Sequence, residues 1–110
     1  MSAAPLYLYV RDPDDGDRVV AVRSRVVLGR DLTCEVVVAD AEASRRHAEI
    51  RHDRAVGWTI RDLESTNGTF VNDRRAVGSV HVAVGDVVRI GRVSIELHVT
   101  DPSPAHRLQP

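Results

Sequence analysis

Along this chain, apolar residues recur at every second position in short runs, and about every ten residues a cluster of Gly, Asp or Asn breaks the run. Period two is the signature of strands with one buried face, and no stretch sustains the 3.6-residue period of a helix. Leu6, Leu8 and Val10 share one face, with Tyr7 and Tyr9 on the other. The turn Asp12-Pro13-Asp14-Asp15-Gly16 should return the chain as a second strand over residues 18–22. Val26-Val27-Leu28 forms a third strand that stops at Gly29, and residues 30–35 read as a polar loop. Val36-Val37-Val38 is a short buried strand, followed by a second polar loop over residues 39–46. Ala48 and Ile50 face inward in a strand that a turn at residues 54–57 should pair with residues 58–61.

A third polar loop follows, and its Asn67-Gly68 pair favours positive φ and a tight reversal that exposes the Thr66 hydroxyl and the Asn67 amide. Beyond it, very short strands are expected over residues 69–71 and at Ala76-Val77, around a turn at Asn72-Asp73. Val80, Val82 and Val84 alternate as a further strand, and residues 87–90 form another. Gly91-Arg92 then has glycine in the first position, as a type II′ hairpin requires, before the alternating residues 93–99. The pattern predicts an all-β sandwich or barrel in one domain over residues 6–100. Residues 1–5 read as a flexible start, and residues 101–110, with three prolines, as a flexible tail or linker.

Composition narrows the function more than the fold. The 19 valines against four aromatic residues suit strands, and 110 residues suffice for one self-supporting core. With 15 basic and 16 acidic residues the chain has no general electrostatic grip on nucleic acid or an anionic membrane, so any anion recognition must be local. All the basic residues are arginine. One cysteine, Cys34, excludes an intramolecular disulfide, and the N-terminus lacks the basic start and apolar core of a secretory signal. A cytoplasmic protein without a membrane span is expected.

Three polar clusters stand at strand ends: Gly29-Arg30, Ser44-Arg45-Arg46-His47, and Ser65-Thr66-Asn67-Gly68-Thr69. Loops of a sandwich gather at its two ends, so the three can converge into one shallow oxyanion pocket. The Arg30 guanidinium offers a fixed fork of donors, the Ser44 and Thr66 hydroxyls one bond each, and Arg45 a second charge. Asn67, with donors and an acceptor, suits the main chain of an extended peptide. A serine hydrolase built on Ser44 and His47 is disfavoured, because serine three residues before histidine on one loop is a poor nucleophile and base arrangement and no Gly-x-Ser-x-Gly elbow is present. The five histidines show no metal-ligand spacing.

The combined spacing resembles the forkhead-associated (FHA) domain family, over about residues 26–99. Its Gly-Arg, Ser-Arg-x-His and Asp-Leu-x-Ser-x-Asn-Gly-Thr-x-Val-Asn motifs, then Gly-Asp and Ile-Gly, are matched here through Gly85-Asp86 and Ile90-Gly91. Glu35 and Asp73 are mild departures from that pattern. The resemblance implies a two-sheet β-sandwich of about eleven strands that binds phosphothreonine peptides through loops at one end, in Ser/Thr kinase signalling and without cofactor or catalysis. It implies phosphate contacts by Arg30, Ser44, Arg45 and Thr66, and a peptide-backbone contact by Asn67. Glu42 is the expected selectivity residue, and Gly29, His47, Gly68, Thr69 and Asn72 are expected to support the site. A module of the same fold that binds partners independently of phosphate is the alternative. Thr33 is the threonine whose own phosphorylation would place a second anion beside Arg30.

Overall fold

A computed structural model describes residues 4–101 of the chain. The start expected at residues 1–5 and the tail expected at 101–110 therefore lie mostly outside the described residues. Eleven strands follow in order: β1 (Leu6–Asp12), β2 (Gly16–Val22), β3 (Arg25–Gly29), β4 (Val36–Val37), β5 (Ala48–Asp53), β6 (Gly57–Asp62), β7 (Phe70–Val71), β8 (Arg74–Arg75), β9 (Ser79–His81), β10 (Val87–Ile90) and β11 (Val93–His98). They form two sheets, a six-stranded one in the order β2-β1-β11-β10-β7-β8 and a five-stranded one in the order β4-β3-β5-β6-β9. All neighbours are antiparallel except β3 and β4. Among the described residues no helix is long and apolar enough to cross a membrane.

The alternation seen in the sequence is the alternation that fills the core. Leu6, Leu8 and Val10 of β1 and Val93, Ile95 and Leu97 of β11 face Val26, Leu28, Ile50 and Ile60 from the other sheet, all of them buried. Cross-strand register keeps these residues on one side: Leu8 pairs with Leu97 and Val10 with Ile95, while Ile50 pairs with Ile60. Burial of each such side chain stabilises the fold by about 1.5–3 kcal/mol before entropy is counted. Gly91, at φ 58°, opens the two-residue turn that sets Ile90 opposite Val93.

Three short elements differ from the sequence pattern. Asn72 and Asp73 both adopt positive φ, 49° and 68°, as a two-residue type I′ turn demands. That turn sets Arg74 directly opposite Val71, so β8 lies at Arg74–Arg75 instead of Ala76-Val77, and β7 begins at Phe70. The valine run after residue 79 pairs only as far as His81. Val82 N still donates to Trp58 O at 3.1 Å, but the Asp86 carboxylate then takes the Ala83 amide at 2.8 Å and turns the chain out of the sheet. Val84 is consequently 52% exposed, whereas Val82 is 6% exposed.

This boundary makes two similar substitutions unequal. Val82→Ala is expected to destabilise by about 1–2 kcal/mol, from lost burial and the residual cavity. Val84→Ala should stay within about 0.5 kcal/mol of the parent. Urea unfolding of both variants measures the difference, and equal losses would place Val84 in the sheet.

Candidate functional site

Where β3 ends, the chain runs beside the loop 38–47 as a short ribbon: Arg30 N donates to Ser44 O at 2.9 Å and Asp31 N to Arg45 O at 3.1 Å. The approach excludes any side chain at residue 29, since a Cβ on Gly29 would lie 2.1 Å from Arg45 O. The Arg30 side chain is aimed by Nε, which donates to Ala43 O at 3.0 Å. Its two terminal nitrogens have no partner among the described residues. Arg45 and Arg46 are exposed. Hydrogen bonds from the Thr33 amide and hydroxyl, and then the charges of Arg45 and Arg46, hold the Asp31 carboxyl below its ordinary pKa.

The third loop is shaped by one carboxylate. Asp62, at the end of β6, accepts from Ser65 N at 3.0 Å, Ser65 Oγ at 2.5 Å and Thr69 Oγ1 at 2.7 Å. Ser65 Oγ in turn accepts from Gly68 N at 2.9 Å. Burial by itself would raise the Asp62 pKa, but the hydrogen bonds from Ser65 and Thr69 outweigh it and hold the carboxyl below its ordinary value. Thr69 is fully buried. Of the Asn67-Gly68 pair only Gly68 has positive φ, at 91°, so the reversal expected from both residues is made by the glycine.

A histidine joins the second and third loops. The His47 ring is fully buried; Nδ1 accepts from Ser44 N at 3.0 Å, and Nε2 lies 2.8 Å from Gly68 O. Because Nδ1 accepts a backbone N–H, the ring proton belongs on Nε2, which donates to the carbonyl. The imidazole thus bonds the Ser44 amide and not its hydroxyl, which removes the arrangement a serine nucleophile would need. Ser44 Oγ instead accepts from Thr66 N at 3.1 Å, which leaves its own proton free to donate outward.

Arg30, Ser44 and Thr66 are thereby brought together from three loops, with Arg45 exposed beside them. Asn67 departs from expectation, because its side-chain amide is not wholly free: Nδ2 donates to Glu42 O at 2.9 Å. Its Oδ1 has no partner among the described residues, and Asn67 is exposed. Glu42 is exposed, and its amide is held by Asp40 Oδ1 at 2.9 Å. Asp40 is fixed in turn by Arg92 Nε at 3.1 Å. Asn72 is not in this convergence; its side chain bonds Asp86 Oδ1 and Val87 N, each at 2.9 Å, and clamps the end of β7 to the start of β10. Cys34 Sγ donates to Arg45 O at 3.3 Å, and burial pushes its thiol pKa up. In the sequence Asp62 and Ser65 stand only as parts of the matched motif and Arg92 only as part of a turn, none of them with a role at the site, and Asp40 is not singled out. The Asp62 and Ser65 spacing, a carboxylate three residues before a hydroxyl, is the turn signal that could have found the first two.

The depressed pKa of Asp62 fixes a pH dependence. Its contribution is present above the unfolded pKa near ~3.9 and is lost as pH falls through the lower folded value. Asp62→Asn is expected to be less stable than the parent at about pH 7, with the gap closing towards about pH 3. Chemical denaturation across that range checks it, and a gap that does not change with pH would contradict the assignment.

With this geometry in hand, comparison with known proteins is direct. The family profile described as FHA domain matches residues 26–91. The FHA domain-containing protein FhaB of Mycobacterium tuberculosis is 38% identical over 82 residues, which is 74% of this chain and 52% of that protein. The chain thus spans about half the length of the curated relative it matches. A solved FHA structure from a study of phosphothreonine-dependent FHA domain interactions is 35% identical, covers 90% of this chain and 99% of its own, and superposes with a TM-score of 0.75. The structure of Mycobacterium tuberculosis EmbR in complex with a low-affinity phosphopeptide is 29% identical over 91% of this chain and 26% of its own, with a TM-score of 0.77. Strand count, two-sheet architecture and matched motifs agree, and the chain belongs to the FHA domain family.

Proposed function

We propose that this domain binds phosphothreonine-containing segments of partner proteins, and that it is an interaction module without catalytic activity of its own. The observation that carries the reading is that Arg30, Ser44 and Thr66 come together from three loops, and that among the described residues the Arg30 terminal nitrogens and the Ser44 and Thr66 hydroxyls have no acceptor for their protons. Such a set matches the oxygens of a phosphate, with the guanidinium fork supplying paired, charge-assisted bonds. Arg45 adds charge, and Asn67 Oδ1 accepts a peptide N–H. Glu42 lies beside Asn67 and selects among flanking residues. Gly29, His47, Gly68 and Thr69 support the site without touching the ligand, and Asn72 acts further off, through the clamp between β7 and β10.

Relatives whose structures concern phosphothreonine dependence and a bound phosphopeptide support the same chemistry. The partner is the product of a Ser/Thr kinase, and the setting is cytoplasmic, where a free buried thiol such as Cys34 stays reduced. Nucleic acid and membranes are not partners. Titration with a phosphothreonine peptide and its unphosphorylated twin tests the proposal. Binding of the phosphorylated form alone is expected, whereas equal binding of both would favour phosphate-independent docking.

Two further outcomes follow from the phosphate. Charge-assisted hydrogen bonds are worth roughly 1.5–3 kcal/mol, so Arg30→Ala should weaken the phosphopeptide by about tenfold or more while the thermal unfolding curve is unchanged. Arg30→Lys should recover only part of the loss, because it keeps the charge and loses the fork. The second phosphate pKa is about 6, so affinity should fall as pH drops through that value. Calorimetry at about pH 7.5 and about pH 5 reads this directly, and unchanged affinity would argue against the dianion as the main determinant.

A further inference from the structure

Beside the pocket, on the outer face of the six-stranded sheet, three residues stand in one cross-strand row. Arg75 of β8 is directly opposite Phe70 of β7, and Phe70 is directly opposite Arg89 of β10. Their neighbours Val71 and Val88 are buried, so this row points outward. The Arg89 guanidinium lies over the Phe70 ring, 4.6 Å from its centroid. The Arg75 guanidinium reaches the tip of the third loop: a Cβ on Gly68 would meet its Nε, Cζ and Nη2 at 3.1–3.4 Å. Gly68 is the residue after Asn67 and the one whose carbonyl His47 holds. The row is therefore continuous with the loop that carries Thr66 and Asn67.

Its charge is uncompensated. Among the described residues Arg11, Arg25 and Arg92 each pair with a carboxylate, while Arg74, Arg75 and Arg89 pair with none. The residues directly opposite Arg75 and Arg89 across the sheet are Phe70 and Ser94, neither of them an acid. Stacking on a half-buried phenyl ring, together with a long contact from Arg89 Nη1 to Gly91 O at 3.5 Å, orients the Arg89 guanidinium in advance, which lowers the entropy lost when its remaining donors grip an anion.

We propose that Arg75 and Arg89, on either side of Phe70, form a second anion-binding surface that takes an acidic or phosphorylated side chain of the same bound segment. The inference rests on the phosphothreonine reading of the pocket. An extended peptide advances about 3.3 Å per residue, so a side chain a few positions from the phosphothreonine reaches a surface that begins at Gly68. Specificity thereby includes a charge requirement carried by the sheet face, outside the three loops. Both anion sources share one chemistry, oxygens presented to a guanidinium fork.

The test uses the full chain and a set of phosphothreonine peptides that differ at one flanking position at a time, bearing Ala, Asp, phosphoserine or Lys, with affinity read by fluorescence anisotropy. At one position or two adjacent ones, Asp is expected to bind about threefold or more tighter than Lys, the scale of exposed charge pairs and of their charge-assisted bonds. In the double variant Arg75→Ala/Arg89→Ala that preference should vanish, while the Ala-flanked peptide keeps its affinity and thermal unfolding matches the parent. Phosphoserine exceeding Asp would identify a second phosphate as the natural anion; equality would identify a carboxylate. A parent that binds phosphothreonine peptides without discriminating Asp from Lys, or a double variant that still discriminates, overturns the inference and leaves the pocket standing. A parent indifferent to phosphothreonine overturns both.

Discussion

One buried imidazole sets the geometry on which the binding end depends. His47 takes the Ser44 amide on one nitrogen and lies against the Gly68 carbonyl with the other, so two loops that are separate in sequence are fastened main chain to main chain. The same residue is anchored by its own backbone, with His47 N donating to Leu28 O and Leu63 N donating to His47 O, each at 2.8 Å. Strand β3, the second loop and the start of the third loop thus meet at one residue, through its backbone and its ring. Polar bonds made in a fully buried place are costly to break, because each would leave an unsatisfied group. The ends of the loops are held in register for that reason, even though their tips are exposed.

Around this bridge the loops spend their own polar groups on one another and keep a few in reserve. The Asp62 carboxylate organises the third loop through Ser65 and Thr69, while the Arg30 and Asp31 amides zip the first loop onto the second. What remains unspent are the charged and hydroxyl donors at the surface. A binding site whose donors are already positioned loses little entropy when an anion arrives. The arginines without a carboxylate partner on the adjoining sheet face extend that principle, since a chain with a formal charge of −1 can attract anions only through local groups of positive charge.

Much of this was legible in the sequence, for definable reasons. The long strands β1, β5, β6 and β11 were visible because each buries one face and so must alternate. The site's outline was visible because Gly-Arg, Ser-Arg-x-His and Ser-Thr-Asn-Gly-Thr are compact, polar and placed at strand ends. The two-residue strand β8 was misplaced because the two-residue turn at Asn72 and Asp73, not hydrophobic pattern, fixes which residues pair. Val84 continues an alternation that the Asp86 side chain has already ended, and a bond between residues 83 and 86 leaves no periodic trace. Likewise, nothing local to Asn67 tells that its amide reaches a carbonyl 25 residues away, or that Arg75 comes to rest against Gly68. Those are consequences of tertiary placement.

The central claim is that three loops, locked by His47, present one phosphate-binding surface. Chemical-shift mapping of the nitrogen-15-labelled chain with a phosphothreonine peptide and its unphosphorylated twin tests it most directly. The account predicts that the phosphorylated peptide alone shifts the amides of Arg30, Ser44, Arg45, Thr66 and Asn67 as one site with a single affinity. Shifts centred away from those three loops, or the same shifts with the unphosphorylated peptide, would contradict it.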